Sequence, residues 1–124
     1  MLPTFIYDSN LFRCGDQMTE HPLKIYEKLD PELLKHVENS GEFVFNDGAL
    51  PRKFKLLIGM AFDASFGAVQ GVKSLARQAI EAGATQEEIT EALRVAQHLS
   101  GVGCIYTAGQ ALKELFEERK HINS

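Results

Sequence analysis

The stretch AGATQEEITEAL, residues 82–93, constrains the fold more tightly than any other part of the chain. Gly83 suits the end of a helix, because glycine takes a positive φ without steric cost. Thr85 then offers a hydroxyl to the free amides of a following helix. Glu88, three residues on, can reach back to the Thr85 amide, which completes a capping box. Upstream, Val69, Val72, Ala76, Ala79 and Ile80 recur at three- and four-residue steps, with Gln70, Lys73, Arg77 and Glu81 between them. That spacing predicts a helix from about Phe66 to Ala82. Downstream, QEEITEALRVAQHLS turns Ile89, Leu93 and Ala96 inward.

The remaining segments follow the same logic. HPLKIYEKL (21–29) reads as a short helix from Pro22. Asp30 can cap, and Pro31 suits the first turn of, a helix over residues 30–45. Leu33, Leu34, Val37, Phe43 and Val44 supply its apolar positions, and Ser40-Gly41 weakens its middle. NDG (46–48) is the stop. A helix over 50–65 restarts at Pro51, with Leu57, Ile58, Ala61 and Phe62 as its expected apolar stripe. GVG (101–103) separates the 86–100 helix from a last one over about 104–119. There Cys104, Ala108 and Ala111 form a small-residue stripe that favours close helix packing, within or between subunits. No β-alternating run of useful length occurs, so the expected class is all-α. Residues 1–20 lack periodicity and read as an N-terminal arm, with Phe5, Ile6, Leu11 and Phe12 as contacts to a neighbouring subunit. Residues 21–124 read as a single domain.

Composition narrows the function classes. With 124 residues the chain can bury a real core, and a net charge of −4 argues against a nucleic-acid partner. No apolar run reaches the ~20 residues of a membrane span. The opening MLPTFIYDSNLFRCGDQ lacks a basic region followed by an apolar one, so the expectation is a cytoplasmic protein without a secretory signal. Cys14 and Cys104 form no CxxC. With His21, His36, His98 and His121 they form no zinc-like spacing, so neither a metal nor another cofactor is expected.

Three segments together, DGALPRKFKLLIGMA (47–61), ARQAIEAGATQEEITEAL (76–93) and GVGCIYTAGQALKEL (101–115), resemble the carboxymuconolactone decarboxylase-like family, which includes the alkylhydroperoxidase D-type proteins. The resemblance spans roughly residues 30–117. It implies an all-α fold with a central antiparallel helix pair and a homo-oligomer, a homotrimer or homohexamer. It also implies one of two chemistries: peroxiredoxin-like peroxide reduction through E-x11-C-x2-C-x3-H, or decarboxylation of a muconolactone by His and Glu on the equivalent helix. Laid onto this chain from the AGAT anchor, the motif's glutamate falls at Leu56, its cysteines at Ala68 and Gly71, and its histidine at Leu75. FDASFGAVQGVKSLA (62–76) thus lacks the dithiol, and neither mechanism transfers directly.

The candidates that remain are few. Cys104 follows a glycine break at a helix start, where free amides favour a thiolate, and His98 precedes it by six residues. Asp63 is an acid within reach of the family's pocket and can serve as a general base; its bland reading is a cap for the next helix. Gln70, Ser74 and Tyr106 are candidate substrate-binding groups. Lys73 and Arg77, one turn apart, read as an anion site or as a solvated face. Three functions therefore stay open: a peroxidase-type enzyme or degenerate relative, a cofactor-free decarboxylase or isomerase for a small lactone or carboxylate, and a non-catalytic oligomeric binding protein.

Overall fold

A computed structural model describes residues 21–123, and among these every regular element is helical. A 3-10 turn, Pro22–Ile25, runs into α1 (Tyr26–Leu29) and then α2 (Pro31–Phe45). There follow α3 (Arg52–Ser65), α4 (Val69–Glu81), α5 (Gln86–Ser100) and α6 (Gly103–Asn123). The chain divides into two compact units, Met1–Asn46 and Asp47–Ser124. The proposed arm, with Cys14, lies outside the described residues. No helix among those described is long and apolar enough to cross a membrane.

In the first unit, α1 packs on α2. Asp30 Oδ1 accepts the Leu33 amide at 3.0 Å and Pro31 opens α2, as the sequence predicts. Ser40-Gly41 does not interrupt α2, and Gly41 is buried with Leu34 and Glu38 on one face. Leu33, Phe43 and Val44 are exposed instead. Burial raises the Glu38 carboxyl above its ordinary pKa, and the charges of Glu27 and Glu42 push the same way.

In the second unit the termini are set by local chemistry. Asp47 Oδ1 accepts the Arg52 amide at 2.6 Å and so serves the free end of α3 from five residues away. Gly83, at φ 102°, ends α4 in a Schellman motif: its amide bonds to Ile80 O at 2.9 Å and the Ala84 amide to Ala79 O at 2.8 Å. The capping box forms as predicted, with Glu88 N to Thr85 Oγ1 at 3.1 Å and Thr85 N to Glu88 Oε1 at 2.9 Å. Gly101, at φ 100°, ends α5.

Three residues connect α3 to α4, which makes them antiparallel neighbours and the central pair of the unit. The core beneath them holds Leu56 and Met60 of α3, Val72, Ala76 and Ala79 of α4, Ile89 and Leu93 of α5, and Leu115 of α6. Each large side chain there contributes about 1.5–3 kcal/mol by leaving water. Cys104, Ala108 and Ala111 are all buried, so the small stripe of α6 serves packing within the chain.

Two expectations need correcting. The inward stripe of α3 is Leu56, Leu57, Met60 and Ala64, whereas Ile58 and Phe62 are 48% and 60% exposed. The helix carries two apolar faces, and periodicity alone cannot say which one meets the core. Lys73 and Arg77 form neither a solvated face nor an open anion site. Lys73 is buried and ion-paired to Glu118, with Glu114 at 3.5 Å, and Arg77 Nη2 meets Glu118 Oε2 at 2.6 Å. These pairs tie α4 to α6.

Candidate functional site

The junction of α3 and α4 holds the unusual chemistry. Asp63 sits in the last turn of α3, and its main-chain carbonyl accepts the Ala68 amide at 2.9 Å, closing the turn into α4. Its side chain lies over Gly71, in the first turn of α4. A β-carbon built on Gly71 would fall on Asp63 Oδ2 and come within 2.7 Å of Asp63 Cγ. The carboxylate is half-buried, and among the described residues no hydrogen bond or ion pair holds it. Burial, with no opposing charge, raises its pKa above the ordinary aspartate value. Nor is it the cap of α4: the N-cap is Ala68, and no side chain accepts from the first-turn amides. A half-buried carboxyl with a raised pKa is a candidate for proton exchange rather than a helix cap.

Of the positions onto which the resemblance lays the family motif, Gly71 lies against this group. Leu56 and Leu75 are buried in the core. Ala68 is the N-cap of α4, and Gly71 is the residue that Asp63 covers. The carboxylate therefore fills volume that a side chain at position 71 would occupy.

Farther along the α3–α4 seam is a polar chain that sequence reading missed. Arg52 Nη2 donates to Gln78 Oε1 at 3.2 Å, and Gln78 Nε2 lies 3.4 Å from both the Ser74 Oγ and its carbonyl. Gln78 is buried, which its place among Arg77 and Glu81 in the sequence conceals. Ser74 lies one turn beyond Gly71 on the same side of α4, so Asp63, Gly71 and Ser74 share this seam. Arg52 precedes Asp63 by eleven residues on one helix, about 16 Å at 1.5 Å per residue, too far to face it across a small substrate.

The other candidates are not gathered here. Gln70 is exposed on α4. His98 is exposed on α5; Ser100, whose Oγ lies 3.2 Å from Ser65 Oγ of α3, is two residues on, about 200° around the helix. His98 therefore faces away from the end of α3. Cys104 is a free thiol, 3% exposed among the packing residues of α6, and no hydrogen bond joins it to His98. Tyr106 is 77% exposed beside an open groove lined by Val102, Ile105, Gly109, Gln110 and Lys113. Among the described residues, no group of three His, Cys, Asp or Glu could hold a metal ion.

Comparison with known proteins bears on the family and the fold. Residues 31–121 match the model of the carboxymuconolactone decarboxylase family. An uncharacterised protein of Methanocaldococcus jannaschii is 29% identical over 93 residues, 75% of this chain and 87% of its own. The crystal structure of an apo carboxymuconolactone decarboxylase family protein from Legionella pneumophila superposes with a TM-score of 0.74 at 28% identity, covering 88% of this chain and 94% of that one. A Thermotoga maritima structure, 24% identical, gives a TM-score of 0.66 over 82% of this chain and 95% of its own, a likeness of fold.

Proposed function

From the premise that this chain belongs to the carboxymuconolactone decarboxylase family, we propose that it is a cofactor-free acid–base enzyme acting on a small lactone or carboxylate. Asp63 is the group that moves the proton. One observation carries this reading: a half-buried carboxyl, without a hydrogen-bond or ion-pair partner among the described residues, stands over Gly71 in the first turn of α4. Its raised pKa brings it nearer to neutral pH, where a carboxylate is a better base and its conjugate acid still forms. From a substrate with a carbon–carbon double bond one carbon beyond, the carboxylate removes the proton from the carbon next to the carbonyl, leaving a dienolate whose charge reaches the far carbon of that double bond. The Asp63 carboxylic acid then returns the proton at a second carbon, which isomerises the substrate and restores the enzyme. Ser74, in the same seam, orients the substrate.

The peroxidase reading has less support. Ala68 and Gly71 carry no sulfur, and Cys104 is packed away from solvent, whereas peroxide reduction needs an accessible thiolate. Self-assembly into a trimer or hexamer forms part of the proposal. Phe54, Ile58, Phe62 and Phe66 follow one another at four-residue steps along α3 and its C-terminal cap, all exposed, with Val95 and Leu99 exposed on α5. Apolar surface of this extent on a chain suits an interface.

The test is proton exchange. Incubated with small lactones and unsaturated carboxylates in deuterated water, the protein should incorporate deuterium next to a carbonyl. Asp63→Asn should abolish that exchange, and Cys104→Ser should leave it intact. Peroxide consumption lost in Cys104→Ser, with no exchange in any panel, would overturn the assignment.

A further inference from the structure

We propose that Gly71 is a positioning residue: the absent side chain in the first turn of α4 creates the berth in which the Asp63 carboxylate lies. A methyl group there would collide with Oδ2, stand 2.7 Å from Cγ and reach 3.3 Å from Cβ. Oδ2 and Cγ are the free end of a flexible side chain and can move aside, while the approach to Cβ asks for a shift of only a few tenths of an ångström. The carboxylate therefore yields by leaving its place over position 71. Position 71 and Asp63 are thus mutually exclusive occupants of one volume. A side chain of any size at 71, a thiol included, removes the sheltered carboxylate.

Glycine within a helix is less stable than alanine, because it gives up more backbone freedom on folding. At position 71 that cost is coupled to the site. Other features of the surroundings fit. The charged residues that follow on α4, Lys73 and Arg77, are committed to Glu114 and Glu118 of α6. Among the described residues no hydrogen bond or ion pair holds the carboxylate, so its half-buried position rests on the berth over Gly71. The inference rests on Asp63 being the acid–base group, but its geometry can be tested separately.

The experiment follows the Asp63 carboxyl carbon by NMR across pH in the wild type, in Gly71→Ala and in Gly109→Ala. Gly109 lies on α6 with nothing within 4 Å of an added β-carbon, and so controls for helix propensity. Gly71→Ala should return the Asp63 titration to the ordinary aspartate range and lower kcat with little change in KM. Gly109→Ala should alter neither. An unmoved titration in Gly71→Ala would overturn the proposal. Melting temperature in the Asp63→Ala background supplies a second readout. Gly71→Ala should be neutral or stabilising there, and less favourable when Asp63 is present. Equal effects in both backgrounds would also refute the coupling. Full turnover by Asp63→Asn would instead sink the acid–base assignment and leave the berth standing.

Discussion

Asp63 is a group whose ionisation, not its protonation, opposes its folded environment. Its pKa is higher folded than unfolded, so between those two values the folded state binds more protons. Stability therefore falls as pH rises through that window, and the cost persists above it. Asp63→Asn removes the cost: at pH 7 its melting temperature should be no lower than that of the wild type, with the difference closing near pH 3. A helix cap would behave in the opposite way, losing about 1 kcal/mol. The sequence offered both readings of Asp63. What separates them is the absent Cβ of Gly71, a contact across two helices that no local pattern records.

At the scale of the element, the capping box of α5 and the α4–α6 ion pairs make contrasting predictions. Glu88 is held below its ordinary pKa, first by the Thr85 amide and then by Lys53, whose Nζ lies 3.1 Å from Glu88 Oε2. Its contribution is present above the unfolded pKa and lost as pH falls through the lowered folded value. Thr85→Ala should cost about 1 kcal/mol in urea melts at neutral pH. This element was legible, because its donors and acceptors lie within four consecutive residues. The ion pairs were not, since Lys73 and Arg77 meet partners some forty residues away on α6. Glu118→Gln should destabilise by about 3 kcal/mol, because it leaves buried cations short of a partner. Glu114, 3.5 Å from Lys73, holds the loss to that low end of the range. Replacing Lys73 and Glu118 together by Met and Leu should recover the part lost at Lys73 but not the part lost at Arg77, and a double-mutant cycle measures the coupling.

At the scale of the whole molecule, the unexpected apolar face of α3 is the feature with consequences. If Phe54, Ile58, Phe62 and Phe66 join copies of the chain, Phe62→Glu should shift sedimentation from an oligomer to a monomer with the helical circular dichroism retained. A wild-type protein that sediments as a monomer at about 100 µM would refute that use of the face. The sequence by itself determined the helices, their stops and caps, and the loss of the family's thiols, because periodicity, capping and residue identity act over one or two turns. Tertiary structure alone decided which face of α3 is core, that Cys104 is packing, that Lys73 is paired, and that Asp63 stands sheltered over Gly71. Each of these depends on which side chain another helix brings within a few ångströms, and packing sets that distance, not spacing along the chain.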